Sequence, residues 1–530
     1  MGAIAIISFV LFTVLAATIS YFKSRKTQRS TVTGFLFANR TNGFILIGAS
    51  LFFSNISANQ FIGENESVYI NNMSVIGWGI SSILAMIIVS EFFIPIYFKT
   101  GIRTIPDFLE KRYDPQAKTL VSVIFLFSYI INLLPSVLYG GSVAFSNLID
   151  LSAFKLSYWE SIWIFVWVMG LIGSIYTILG GFKAITISDT VLSAGMLVLI
   201  VALPYYGLRY LGHGDFYTGL HTILSTKKEH LNAIGSSKDA VPFPTLFTGM
   251  FIINLYYWGM EQYIIQQVLA AKSLEEGQKG IALTCFAKLL CPLLINVPGL
   301  IAVHVYPALT NTTQVFPMLI KDVLPPVLTG LSACVLFGAA ITTFNAGLNS
   351  SSTLFILNLY KPFQEKRGKE LSDKKLLRVG RLFQIGVSLF AMTFAPFIIF
   401  SKNGFYEYLQ KISAIFSLPI FTIIFLGFIT KKMPPIAAKI GMIFFITCYV
   451  LSEWVFTVPL HYLHVLAIIF VVTVILMLSI SRFYPNQKPY QLVLNNNIEI
   501  VPWHKRHYYH IVLIVLMALV FFLFSPYVLA

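Results

Sequence analysis

The chain alternates long apolar runs with short polar breaks, and the runs are too long for the core of a soluble domain. A predominantly apolar run of about 18 or more residues reads as a transmembrane helix. About fourteen such runs can be drawn: 3–22, 43–63, 74–98, 117–148, 159–179, 187–210, 245–271, 280–305, 327–359, 377–400, 405–429, 434–456, 460–481 and 509–529. The fold class this predicts is an all-α polytopic membrane protein. The polar stretches between runs, such as ENESVYINNM (64–73) and YPALTNTTQ (306–314), read as short connections.

Three runs break the pattern. In FSNISANQFIG (53–63), Asn55, Ser57, Asn59 and Gln60 fall near the middle of a span. An unsatisfied polar group in lipid costs several kcal/mol. Four together are tolerable where the helix is buried among others and lines a cavity. Unwinding there also bares backbone carbonyls able to hold a cation, and Gly63 eases such a break. In NLYYWGMEQYIIQQ (254–267), Asn254, Gly259, Glu261, Gln262, Gln266 and Gln267 interrupt an apolar frame. These are the second and seventh runs, and each opens a set of five. Paired interruptions at matching places in two halves point to an inverted-repeat secondary transporter with its site at the midplane. The competing reading, polar residues as glue between helices at about 0.6–2 kcal/mol each, does not account for the pairing. The third run, FGAAITTFNAGLNSSSTLF (337–355), crowds Thr342, Thr343, Asn345, Asn349 and Ser350 to Thr353 onto one helix. Hydroxyls and bare carbonyls are hard oxygen donors, and a set without carboxylates suits a monovalent cation better than a divalent one. Back-bonding of Ser and Thr to the preceding turn is the plainer alternative.

The organisation that follows is an N-terminal extra helix and loop (1–42), a first repeat of five helices (43–210), an outer loop (211–244), a second repeat of five (245–432) and three further helices (433–530). Composition agrees with a membrane body. Of 530 residues, 57% are hydrophobic and only 11% charged, with a mean hydropathy of +0.77; soluble domains carry about a quarter charged residues. The net charge of +15 is a topology signal and not a nucleic-acid footprint. Basic residues collect in alternate connections, around 23–29, 99–118, 272–279, 361–381, 431–439 and 482–506. The positive-inside rule then places both termini outside a cell membrane. The first run lacks a basic flank and a cleavage site, so it reads as a retained helix and not as a signal peptide. Cys285, Cys291, Cys334 and Cys448 all lie in apolar runs without metal spacing, and read as small buried hydrophobes. The scattered histidines form no catalytic cluster, so a membrane enzyme is not expected.

The blocks SNISANQFIG, GIRTIPDFLEKRY, NLYYWGMEQYIIQ, LAAKSLEEGQKG and AAITTFNAGLNSSSTLF together resemble the solute:sodium symporter family, most of all its bacterial sodium/galactose branch and an uncharacterised bacterial branch close to it, from about residue 35 to 432. The resemblance implies a LeuT-type core of five plus five helices and solute uptake driven by a sodium ion. It implies a sodium site made by the carbonyls of Phe53, Ile56 and Ala339 and the hydroxyls of Thr342 and Thr343, together with Asp189, which matches an acidic residue that helps hold or release sodium in some relatives. Serines are common in the family at the two threonine positions. The same resemblance implies solute contacts at Asn55, Gln60, Ser82, Asn254, Lys288 and Gln410, with Tyr257 as inner gate and Tyr406 as outer gate. It also shows departures. Gly79 stands where sugar-transporting members carry a glutamate, Glu261 where relatives carry asparagine, and Gln267 where they carry arginine.

The solute class turns on charge. Lys288 lies about eight residues, or roughly 12 Å, inside its run. A charged lysine at that depth needs a partner or a water-filled cavity. With Glu261 as partner the site is neutral and suits a sugar. With Glu261 facing elsewhere, Lys288 favours an acidic sugar such as sialic acid, or another organic anion. Oligomeric state is not legible in the sequence.

Overall fold

The structure is a computed structural model. It describes residues 1–25, 30–149, 155–309, 311–400, 405–456, 458–491 and 500–530, apart from the side chains of Asn59, Leu294 and 405–409. Regular structure among these residues is helical; the only β contact among them is one isolated bridge, Asn42 to Ala271. Ten of the described helices are long and apolar enough to cross a membrane, or eleven when the bent pair Phe44–Asn55 and Gln60–Ile70 is taken as one passage. The expectation of about fourteen differs for identifiable reasons. Tyr158–Leu211 is a single run of 54 helical residues. At about 1.5 Å per residue it is over twice as long as a hydrocarbon core of about 30 Å. It is hinged at Gly181 (φ 67, ψ −178), so it makes two passages. The segments Gly249–Gly259 with Gln262–Leu269, and Leu274–Leu289 with Val297–Val305, are broken or carry charges.

Each break has a local cause. Gly181 adopts backbone angles that only glycine takes readily, and a β-carbon there would lie 3.1 Å from the Phe35 ring. In the first broken span the helix Phe44–Asn55 stops at Ile56 (φ −89, ψ 93). It restarts after Ser57 (φ −84, ψ 164) with a 54° bend. In the second, Gly249–Gly259 stops at Met260 and resumes after Glu261 (φ −65, ψ 116). Gly259 is pressed against Phe93, where a β-carbon would come within 2.4 Å of the ring. Its carbonyl accepts from the Tyr97 hydroxyl at 2.8 Å.

Four π turns, Val89–Phe93, Ser128–Leu133, Pro292–Asn296 and Phe355–Tyr360, each end two residues before a proline: Pro95, Pro135, Pro298 and Pro362. Proline donates no hydrogen bond and its ring crowds the carbonyl four residues back. Widening the turn to i→i+5 spacing relieves both.

The hydroxyl-rich helix Pro326–Leu354 is the centre of the molecule. Nearly every side chain from Thr329 onward is buried. It packs on Ala3–Ser24 and on the hinged helix, while Phe44–Asn55 packs on Leu274–Leu289. The last three helices, Pro435–Trp454, Tyr462–Phe483 and Arg506–Leu523, are far less buried and present apolar side chains outward. One connection differs from expectation. Residues 64–70 are not a loop: the helix Ala58–Ile70 runs through them and buries Glu64 and Asn65.

Candidate functional site

The end of the first broken span frees backbone groups. The last four carbonyls of a helix have no partner within it, and here they lie beside the hydroxyl-rich helix. The Thr343 hydroxyl is 3.2 Å from the Ser54 carbonyl and 3.1 Å from the Ala339 carbonyl. It thus joins an i−4 carbonyl of its own helix to the broken span. The Thr342 hydroxyl donates to Asp189 Oδ1 at 2.9 Å, and Ser50 donates to Asp189 Oδ2 at 2.6 Å. Asp189 is fully buried, as are Phe53, Ile56 and Ala339, which excludes a surface role for this carboxylate. A few residues along, Ser193 donates to the Ala49 carbonyl at 2.9 Å. Three segments therefore converge through hard oxygen atoms, the donor chemistry that fits a small alkali cation.

A cavity of about 220 Å³ opens next to this cluster, with Ser54 and Thr343 in its wall. Asn55, Gln60, Ser82, Asn254, Tyr257, Glu261, Lys288 and Gln410 all line it, so residues spread over 355 positions of the chain meet at one place. The Tyr406 side chain lies outside the described residues. Trp78, Tyr129, Asn132, Tyr256, Trp258, Tyr263, Ser413 and Ser417 also line the cavity and were not expected. Tyr129 and Asn132 sit in a π turn before Pro135, and an asparagine so close to a proline in an apolar run is the signal that marks them.

The two charged groups in the wall are held apart. Lys288 Nζ donates to Asn55 Oδ1 at 2.5 Å and stands 5.2 Å from the centre of the Trp258 ring. Glu261 accepts from the Tyr129 hydroxyl and from the Tyr256 hydroxyl at 2.8 Å. Glu261 thus faces the cavity without being the ion-pair partner of Lys288. Tyr263 donates to the Tyr257 oxygen at 2.8 Å, Asn254 donates to Ser81 at 3.1 Å, and Asn132 donates to Ser413 at 2.8 Å. Ser82 donates to the Gly79 carbonyl on its own helix at 2.6 Å. A β-carbon at Gly79 would meet nothing within 4 Å, so the position is buried beside open space. Gln267 is buried and donates to the Tyr263 carbonyl at 3.3 Å. Elsewhere, Glu91, His507 and His510 bring ligand atoms within 4.8 Å of one another, but Arg506 Nε already lies 3.0 Å from Glu91.

A helical membrane body with two mid-span breaks, an oxygen cluster and a polar cavity between them has the construction of an ion-coupled secondary transporter. The chain matches the Sodium:solute symporter family over residues 35–444, and it belongs to that family. It is 36% identical over 504 residues to the uncharacterized symporter YidK of Escherichia coli K12, covering 95% of this chain and 88% of that protein. It is 30% identical over 466 residues to the sodium/glucose cotransporter of Vibrio parahaemolyticus, covering 83% of each. Among solved structures, its fold is similar to that of a Na+-coupled sialic acid symporter in a substrate-bound outward-open state. That likeness has a TM-score of 0.78 at 18% identity, over 92% of this chain and 99% of the other. The LeuT-type core is therefore the fold. The relatives are transporters and not enzymes, and sodium is the coupling ion of the family.

Proposed function

We propose that the protein imports a neutral sugar together with sodium by alternating access. The observation that carries the choice of solute is the charge of the cavity wall. Its lysine is already engaged by Asn55 and Trp258, and a glutamate shares the same small space. The rest of the wall is amides, hydroxyls and aromatic rings. Amides and hydroxyls match the alternating donors and acceptors of a polyol, and ring faces match the apolar face of a sugar. The volume is below the range of roughly 300–1,000 Å³ that drug-sized ligands occupy, which favours a single ring. The second reading is an acidic sugar or other organic anion; it is favoured by the lack of a carboxylate within ion-pair distance of Lys288 among the described residues.

In this reading Phe53, Ile56, Ala339, Thr342 and Thr343 hold sodium, and Asp189 holds Thr342 and adds negative charge beside it. Sodium ties the broken span to the hydroxyl-rich helix and so favours the conformation with a formed solute site, which is a population shift. Asn55, Gln60, Ser82, Asn254, Glu261, Lys288 and Gln410 contact the solute. Tyr257, supported by Tyr263, closes the inner side and Tyr406 the outer side. Both chain ends lie on the outer face of the cell membrane.

The test is uptake by proteoliposomes with and without a sodium gradient, against a panel of neutral hexoses, hexuronates and sialic acid. Sodium-dependent uptake of a neutral sugar is expected, and Lys288→Ala weakens it without reversing the ranking. Preference for the acidic compounds, lost in Lys288→Ala, establishes the second reading instead.

A further inference from the structure

The break in the second broken span leaves two backbone groups to be satisfied from elsewhere. In an unbroken helix the Tyr263 N–H donates to the carbonyl four residues back, that of Gly259. Here the Tyr97 hydroxyl donates to the Gly259 carbonyl at 2.8 Å instead. The Tyr263 N–H, second in the helix Gln262–Leu269, donates to the Tyr129 hydroxyl at 3.2 Å. Helix N-termini are commonly capped by the side chain of the N-cap residue. The N-cap residue of this helix, Glu261, makes no such side-chain bond, and a tyrosine of another span supplies the acceptor.

Tyr129 is 1% exposed and sits in the π turn Ser128–Leu133. A tyrosine hydroxyl has one proton to give and lone pairs to accept with. The Tyr129 proton goes to Glu261 Oε1, and a lone pair takes the Tyr263 N–H. The other Glu261 oxygen accepts from Tyr256 at 2.8 Å. The ring of Tyr129 lies edge-on to that of Tyr263, with centres 6.0 Å apart. Tyr263 in turn stands edge-on to Tyr257 and donates to its oxygen at 2.8 Å. One chain of contacts therefore runs from Glu261 through Tyr129 and Tyr263 to Tyr257 in the cavity wall.

We propose that Tyr129 is a positioning residue of the inner gate. Its hydroxyl fixes Glu261 and the start of the helix Gln262–Leu269, and through Tyr263 it holds Tyr257 in place. It acts through Tyr257 and not by donating to solute, because its proton is committed to Glu261. Losing the hydroxyl strands a buried N–H and one carboxylate oxygen at the break, and buried groups left unpaired are costly. This inference rests on the reading of Tyr257 as inner gate and goes beyond it by naming the group that holds the gate from a different span.

The test is sodium-free efflux from proteoliposomes preloaded with labelled glucose, with labelled sialic acid in parallel so that the charge of the solute does not decide the result. Tyr257→Ala tests the gate reading by itself and is expected to leak. Tyr129→Phe keeps the ring and removes only the hydroxyl; its efflux is expected to rise about tenfold over wild type. Tyr97→Phe removes the matching hydroxyl on the other lip of the break, where the bond reaches Gly259 and not Tyr263. It is expected to keep wild-type efflux. Tyr129→Phe combined with Tyr257→Ala is expected to leak no faster than Tyr257→Ala alone, because residues that act through one another are not additive. Wild-type efflux in Tyr129→Phe beside a leaking Tyr257→Ala overturns the proposal alone. No leak in Tyr257→Ala overturns the gate reading and the proposal together. Equal leaks in Tyr129→Phe and Tyr97→Phe mark a general loosening of the break and also overturn the proposal. If Tyr129→Phe fails to accumulate in membranes, Tyr129→Phe with Glu261→Gln, which strands no charge, takes its place. A leak there supports the proposal, and wild-type efflux or failure to accumulate overturns it.

Discussion

At the scale of single residues, the proposed ion site rests on Thr343. Its hydroxyl stands between a carbonyl of its own helix and one of the broken span, so it is the atom that joins the two segments directly. Replacing it with alanine removes that oxygen together with the γ-methyl, whereas serine removes the methyl alone. Hydrogen bonds and ion contacts of this kind are worth roughly 1.5–3 kcal/mol when charge is involved. Thr343→Ala is therefore expected to raise the sodium concentration for half-maximal uptake by about tenfold or more, with normal membrane insertion, while Thr343→Ser retains near wild-type sodium dependence. Transport assays across a sodium titration check both. The two threonines and the amides around Asn55 were legible in the sequence because polar groups deep in an apolar run are costly enough to need a reason. Lys288 was legible for the same reason, but its partner was not. Whether it meets Glu261 or Asn55 depends on which faces of distant helices turn toward one another, and spacing along the chain carries no such information. Glu64 was missed as a buried group because it opens a polar stretch that reads as a connection, whereas the helix continues to Ile70.

At the scale of elements, glycine and proline mark where helices depart from regularity, and each position makes a distinct prediction. Gly181 turns one continuous run into two passages. Its backbone lies in a region that costs other residues about 1–3 kcal/mol, and Phe35 stands against it. Gly181→Ala is expected to lower the unfolding temperature of detergent-purified protein and its yield from membranes, measured by size-exclusion stability assays. Gly79 is the contrast. It is helical, buried and next to open space, so Gly79→Ala is accommodated without loss of stability; helical glycine costs about 0.5–1 kcal/mol relative to alanine. A change in solute affinity in Gly79→Ala, with unchanged thermal stability, locates that open space within reach of the solute. Existence and order of the helices followed from the hydrophobic pattern. The break between 179 and 187 was drawn from the pattern, though not that the chain turns there at a single glycine; the π turns did not follow, because periodicity over 20 residues is insensitive to one extra residue in a turn. The prolines that cause the π turns were visible throughout, and their consequence lies in the ladder they widen.

At the scale of the whole molecule, the oxygen cluster and the cavity share a wall, and in the proposed mechanism that adjacency couples ion to solute. Ser54 and Asn55 end the helix Phe44–Asn55 and Ser57 lies in the break that follows, with the Ser54 carbonyl on Thr343 and the Asn55 amide on Lys288. A sodium ion that pulls this segment toward the hydroxyl-rich helix also sets the side chains that meet the solute. Coupling of this kind is reciprocal in binding: solute must tighten sodium by the factor that sodium tightens solute. Equilibrium binding of labelled solute to purified protein at several sodium concentrations, paired with sodium binding at several solute concentrations, is expected to give one shared factor. Two unequal factors, or none, would show that the adjacency does not carry the coupling. The same arrangement fixes the energetic scale of transport. Each sodium ion moved inward with an interior-negative potential of 100 mV releases about 2.3 kcal/mol, so a cycle moving one sodium with a neutral solute is electrogenic. Imposing such a potential on proteoliposomes with a potassium gradient and valinomycin is then expected to raise steady-state accumulation of the solute by about fortyfold at equal sodium on both sides. With an anionic solute carried by one sodium the cycle moves no net charge, and the potential leaves accumulation unchanged. Combined with the sodium-to-solute ratio measured in the same proteoliposomes, the electrical response therefore reports the charge of the solute independently of any competition among sugars.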